Sequence, residues 1–308
     1  MHNVLNQIEP GIRELVTDFI EAGCPCPSKQ SVIQRRQGYI NSTVLAGASP
    51  QMHQEYQDNL NGIKVKIFKP TSEEKLALTI YFHGGCFISG GFATHEQQLR
   101  QLAKLSNTIV ICIQYRLAPQ HHYPAAHDDA YNAAIFIREH ANKYGGDPKK
   151  ITFVGDSAGA HLALITSLRL KRDTDWLPQK QILIYPMLDA LGSSKSYAEN
   201  GQHFVITRSM LLSGFEMYLA GTNINSQHPE ISPLQRDDFL GLPPTYIITA
   251  EFDPLRDEGE QLYKKLLASG VEAYCERYLG VIHGFFQLSA VSQSAVRCIE
   301  NIAKQIVR

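Results

Sequence analysis

The sequence predicts an α/β protein with a mostly parallel central sheet and helices on both faces, and three observations carry that prediction. Apolar runs of strand length alternate with helix-patterned segments of about ten residues or more from Ile63 onward. One run, Thr108 to Ile113, is almost uninterrupted, as a strand buried on both faces requires. Another, Ile151 to Val154, passes through Gly155-Asp156-Ser157-Ala158-Gly159 straight into Ala160, Leu162, Ala163 and Leu164. A strand that turns this sharply into a helix leaves room only for glycine beside the bend, and it lifts Ser157 to an exposed apex.

Taken in order, Glu9 to Glu21 sets Ile12, Leu15, Val16, Phe19 and Ile20 on one helical face, with Gly23 after it. From Pro25 to about Tyr56 no periodicity is strong, and the stretch reads as a linker or a loosely built cap segment. Ile63 to Phe68 follows the turn signal Asn61-Gly62 and alternates apolar residues with lysine, as a half-solvated edge strand does. Leu76 to Phe82 is a more apolar strand that empties into His83-Gly84-Gly85-Cys86. Helices are expected at Glu96 to Leu105 and Pro124 to Tyr144, and behind the serine to about Lys171. Strands Gln181 to Tyr185, Tyr246 to Ala250 and Ala273 to Tyr278 complete the sheet, with helices at Asp257 to Ala268 and from Phe285 onward. The rhythm breaks between Pro186 and Pro243, where a helix started by Thr207 and carrying Met210, Leu211, Phe215 and Tyr218 reads as an inserted lid. The expected organisation is a single domain over residues 1–308, with cap elements at about 1–56 and 187–242.

Composition narrows the function. With 44% hydrophobic and 19% charged residues the chain is an ordinary globular protein, and a formal net charge of −1 gives no electrostatic reason to bind nucleic acid or an anionic membrane. The first residues lack a signal-peptide pattern, and no stretch approaches the about 18 apolar residues of a membrane span, so a cytoplasmic protein is expected. Six scattered cysteines fit small buried residues, Cys112 and Cys275 within strands, better than a disulfide framework or a metal knuckle. A structural metal is not expected.

An acyl-transfer site needs a nucleophile, a base, an acid that orients the base, and donors for the oxyanion. Ser157, Asp253 and His283 occur in that order, the latter two just beyond predicted strands. Glu251 and Asp257 compete for the acid role. Asp257 opens the next helix with Arg256 pairing locally, so Asp253 is favoured and Glu251 is a supporting residue. Gly84 and Gly85, with the N–H of Ala158 at the helix start, supply oxyanion donors worth roughly 3 kcal/mol each. His83 orients that loop, and Asp156 supports the elbow. His161 lies one turn after Ser157, but its side chain leans toward the preceding turn.

These blocks resemble the hormone-sensitive-lipase-like branch of the α/β-hydrolases, over about Ile63 to His283. His83-Gly84-Gly85-Cys86 stands where that family has His-Gly-Gly-Gly, and Gly155-Asp156-Ser157-Ala158-Gly159 is its elbow unchanged. Tyr115-Arg116-Leu117-Ala118-Pro119-Gln120, Asp253-Pro254-Leu255-Arg256-Asp257-Glu258 and His283-Gly284-Phe285 match three further blocks. The resemblance implies an α/β-hydrolase fold with a helical cap, and a cofactor-free carboxylesterase of lipid metabolism acting on short to medium acyl esters. It also implies pairing as a homodimer through edge strands. The same triad cleaves amides and N-acetyl groups, and a related receptor branch lacks the histidine that His283 supplies here. Two departures stand out. Cys86 replaces the third glycine, which restricts its backbone and puts a thiol near the pocket beside Met210 and Phe215, and Ala160-His161 replaces Gly-Asn behind the serine.

Overall fold

The computed structural model describes residues 2–307. Its N-terminal part holds α1 (His2–Leu5), α2 (Pro10–Glu21) and α3 (Val32–Asn41), followed by β1 (Gln54–Leu60) and β2 (Ile63–Lys69). An alternating series follows: β3 (Leu76–Phe82), α4 (Phe92–Ser106), β4 (Ile109–Gln114), α5 (Ala125–Glu139), β5 (Gly146–Asp156), α6 (Ala158–Asp173) and β6 (Lys180–Ile184). After α7 (Lys195–Asn200) and α8 (Arg208–Leu219) the alternation resumes with β7 (Thr245–Phe252), α9 (Arg256–Ala268), β8 (Ala273–Ile282) and α10 (Gln293–Val307). The strands form one sheet in the order β1-β2-β4-β3-β5-β6-β7-β8. Pairing is parallel from β4 to β8 and antiparallel in the β1–β2 and β2–β4 ladders.

Period-two alternation gives the central strands β3 to β6 two buried faces. Leu78, Ile80 and Phe82 of β3 pack in the core beneath α5 and α6, whereas Tyr81 belongs to the opposite core with Leu99 and Leu102 of α4 and Ile299 and Ile302 of α10. Burying each such aliphatic side chain stabilises by roughly 1.5–3 kcal/mol. Ile12 and Val16 of α2 join the α10 side. There the Glu9 carboxylate accepts from the N–H groups of Gln293 (2.7 Å) and Ser294 (3.2 Å) and from the Ser292 hydroxyl (2.7 Å). It thereby satisfies donors that α10 cannot satisfy internally.

Four expectations need correction. β2 is not an edge strand: Asn61 and Gly62, at φ +52° and +101°, turn the chain into a hairpin that lays β1 outside it. β1 reads Gln-Glu-Tyr-Gln-Asp-Asn-Leu, too polar to signal a strand. Its backbone ladder and the ion pair of Glu55 with Lys66 (2.7 Å) hold it. Within 25–56, α3 is a true helix, capped by Ser31 and Gln34 in a reciprocal capping box. Its buried residue is Arg35, so no apolar stripe announced it. The expected helix from Phe285 is a single 3-10 turn before α10 begins at Gln293, and the 124–144 helix ends at Glu139 before another short turn.

Candidate active site

The elbow is built from steric exclusion. A side chain on Gly155 would reach within 2.4 Å of Gly159 O, and one on Gly159 within 1.9 Å of Phe82 O, so β5 and α6 meet only through glycine. Ser157 sits between them at φ +54°, ψ −117°, a conformation costing about 1–3 kcal/mol. Its N–H donates to Ile184 O at 2.8 Å, which fixes the turn to β6. Contrary to the expected exposed apex, Ser157 retains only 4% exposure.

The ends of β7 and β8 deliver the partners. His283 Nε2 lies 3.1 Å from Ser157 Oγ, and its Nδ1 lies 2.8 Å from Asp253 Oδ2. The carboxylate holds the proton on Nδ1 and leaves the Nε2 lone pair facing the hydroxyl. Asp253 is fully buried; its other oxygen accepts from Leu255 N–H at 2.7 Å, and its backbone carbonyl accepts from Asn200 of α7 at 3.2 Å. Glu251 touches none of these three side chains. Its carboxylate accepts from Gly280 N–H at 2.7 Å, bracing the turn ahead of His283. Asp257 lies in α9 and pairs with Arg256 at 2.9 Å.

The oxyanion loop corrects one assignment. Gly84 N–H donates to Asp156 Oδ1 at 2.8 Å and so has no hydrogen left for a substrate oxygen. Asp156 also accepts from the Tyr81 hydroxyl (2.8 Å) and faces His95 Nε2 (3.1 Å). Burial raises its pKa, but the His95 charge and these hydrogen bonds outweigh that and hold it below the ordinary carboxylate value. A side chain on Gly84 would collide with this carboxylate at 2.4 Å. The donors left are the N–H groups of Gly85, of Cys86, and of Ala158, the first of α6 and without a partner inside that helix. Gly85 sits at φ +129°, where a Cβ would lie 2.1 Å from Ser89 O. Cys86 keeps glycine's left-handed backbone at φ +54° despite its side chain, at a cost of about 1–2 kcal/mol.

His83 packs at the base of this loop. Its Nδ1 lies 2.9 Å from Gly84 O, and its ring stacks on Tyr115 at 4.1 Å, whose hydroxyl donates to His83 O. Burial, then the neighbouring His95, lower its pKa to about 3, so it is no base at neutral pH. His161 also turns away from Ser157: Nδ1 meets Met187 O at 2.8 Å, and Nε2 meets Glu230 O at 2.9 Å and His127 Nε2 at 3.1 Å. The chain's buried His127–His161 pair was not legible, because the two residues lie 34 positions apart with nothing to link them. Burial drives His161 to about 4, against the opposing pull of those two carbonyls, and drives His127 well below its ordinary value.

Of the expected pocket residues, Phe215 is buried with its ring 5.7 Å from that of Phe87, next to Cys86. Met210 is half-buried in the first turn of α8, where its N–H is capped by Thr207 Oγ1 at 3.2 Å. Cys86 is buried against α8: a Cβ on Gly214 would stand 2.6 Å from Cys86 Cβ.

A parallel sheet whose fifth strand ends in a glycine-flanked serine, with a carboxylate and a histidine beyond the next strands, defines a hydrolase of the serine-nucleophile class. Residues 79–287 match the family model described as alpha/beta hydrolase fold, and the chain belongs to that family. It is similar to the carboxylesterase NlhH of Mycobacterium tuberculosis, at 34% identity over 242 residues, 77% of this chain and 76% of that protein. The arylesterase of Saccharolobus solfataricus is 32% identical over 248 residues, 80% of each chain. Among solved structures, the hyperthermophilic esterase of Pyrobaculum calidifontis superposes with a TM-score of 0.90 at 32% identity, covering 98% of both chains.

Proposed function

We propose that the protein is a serine carboxylesterase that hydrolyses short to medium acyl esters through an acyl-enzyme. The observation that carries this reading is the unbroken relay from Ser157 Oγ through His283 to Asp253, at 3.1 and 2.8 Å. His283 takes the hydroxyl proton as Ser157 attacks the ester carbonyl, and Asp253 orients the ring and stabilises the imidazolium. The N–H groups of Gly85, Cys86 and Ala158 receive the oxyanion. His283 then protonates the departing alcohol, and water enters by the same route in reverse. A receptor without catalysis has no use for a histidine held at hydrogen-bond distance from both partners.

The cap is formed by the segment from Cys26 through α3 together with the 187–242 insertion, while α2 and β1 belong to the body of the fold. This is supported by the Arg35 to Ser213 contact (3.0 Å), the Cys26 to Ser209 contact (2.9 Å) and the seat of Gly214 on Cys86. No described helix is long and apolar enough to cross a membrane. Six free cysteines support a reducing, cytoplasmic setting, and the free edge of β8, with Tyr274 and Leu279 exposed, supports pairing with a second copy. The test is Ser157→Ala together with an organophosphonate. The variant is expected to stay folded and lose ester hydrolysis, and the probe to label Ser157 of the native protein. Full activity in the variant, or an adduct on Cys86 alone, overturns the assignment.

A further inference from the structure

α3 is amphipathic the wrong way round. It exposes Ile33 (79%) and Ile40 (41%) and buries Arg35, which is 6% exposed. Arg35 Nη1 donates to Ser213 Oγ at 3.0 Å and Nη2 to Met210 O at 3.2 Å, both neutral groups of α8. Among the described residues no carboxylate pairs with it, and the only ionisable groups bearing on it are the thiols of Cys86 and Cys26. Burial pushes Cys86 up to about 11, so it is neutral at pH 7. For Cys26 burial acts upward too, but hydrogen bonds with Ser209 and Ser28 outweigh it and hold the thiol at about 7. Neither thiol hydrogen-bonds the guanidinium, so among the described residues no full counter-charge meets Arg35. Arg36, the next residue, is also answered only by neutral acceptors: Ile88 O (2.8 Å), Ala118 O (3.0 Å) and Gln120 Oε1 (2.7 Å).

Buried cations are ordinarily paired, since desolvating a guanidinium without a counter-charge is costly. Arg35 has five donors and spends two. Its Nε meets no protein acceptor among the described residues and keeps contact with solvent. Its location gives the vacancy a purpose. Ser213, which takes the guanidinium, is followed by Gly214, which rests on Cys86 of the oxyanion loop, and by Phe215 against Phe87. The cation therefore sits where the cap meets the loop that receives the ester carbonyl.

We propose that Arg35 is the recognition cation of an anion subsite, and that the esters this enzyme turns over best carry a carboxylate a few bonds from the scissile carbonyl. This rests on the esterase reading. A carboxylate accepts the planar fork of a guanidinium in two parallel hydrogen bonds, and it supplies the counter-charge that the folded chain lacks.

The experiment compares kcat/KM for two pairs. In the first, the carboxylate is on the acyl side: the p-nitrophenyl monoester of glutarate against its methyl-capped counterpart. In the second it is on the alcohol side: 3-acetoxypropanoate against its methyl ester. Wild type is expected to prefer the carboxylate member of one pair. Arg35→Met, which keeps the apolar stem, is expected to lower that preference by about 10- to 100-fold, as the loss of a charged hydrogen bond does. Ser213→Ala, which leaves the cation in place, is expected to retain the preference. Wild type favouring the neutral member of both pairs overturns the proposal even where Arg35→Met does not fold, and so does an equal loss on both members in Arg35→Met. Hydrolysis of the neutral esters that depends on Ser157 keeps the esterase reading standing in either case; its absence fails that reading instead.

Discussion

Replacing His161 by asparagine should make the protein more resistant to acid. In the folded state this ring is fully buried, and its pKa is pulled from 6.5 to about 4. The unfolded chain takes up a proton below 6.5 that the folded chain refuses, so the stability is complete above 6.5 and drains away as pH falls toward 4. At pH 4.5 the two titrations differ by roughly 2.5 kcal/mol, and at pH 4 by roughly 3. Against a total of about 5–15 kcal/mol that is a sizeable fraction. Asparagine does not titrate, and its amide can still donate to Met187 O or Glu230 O. The assay is urea unfolding of both proteins at pH 7.5, 6.0, 5.0 and 4.5, with the free energy extrapolated to water. The variant is expected to start at or below wild type at pH 7.5 and to lose about 2.5 kcal/mol less by pH 4.5. Parallel stability curves would refute the reasoning, since they would mean the folded ring takes up its proton as readily as the unfolded one.

Three further outcomes can be checked by kinetics. Asp253→Asn is expected to lower kcat by on the order of 10⁴-fold, as in the protease precedent, whereas Glu251→Gln, which still offers Gly280 an acceptor, should change kcat little; equal losses in steady-state kinetics would move the acid role. Across p-nitrophenyl esters from acetate to palmitate, kcat/KM should peak within roughly C2 to C8, since each CH₂ contributes about 0.8 kcal/mol only while apolar wall remains to meet it. Phe215→Ala or Met210→Ala should move that peak to longer chains, and an unchanged profile in both would leave α8 a purely structural helix.

The sequence made the catalytic constellation legible because its chemistry forces local signatures. A serine on a strand-to-helix elbow needs Gly155 and Gly159, and a carboxylate and a histidine at strand ends follow from the alternating pattern. What escaped was held by partners distant in sequence. β1 has no apolar alternation and exists through its ladder with β2. α3 carried a readable capping box in Ser31 and Gln34, yet its buried side chain is an arginine, which periodicity counts as surface. Gly84 and Gly85 are indistinguishable as letters. Only the arrival of Asp156 from β5 decides that the first amide is consumed internally, which is why the proposed donor role falls one residue along.

The contact between α7 and the acid loop divides the insertion mechanically. Asn200 holds the Asp253 carbonyl at 3.2 Å, and the Ser196 hydroxyl donates to Pro254 O at 2.6 Å, so residues up to 200 are fastened to the same loop as the acid. Beyond them, Val205 stands at φ +66° two residues before Thr207, the N-cap of α8. A displacement that begins before Gly201 is expected to pull on Asp253 and detune the relay, while one confined to α8 is expected to leave the acid where it was. Phe204, with its ring 5.1 Å from that of Phe252, is still packed against the acid loop, so rebuilding this insertion for bulkier substrates is expected to spare proton transfer only from Ser209 onward.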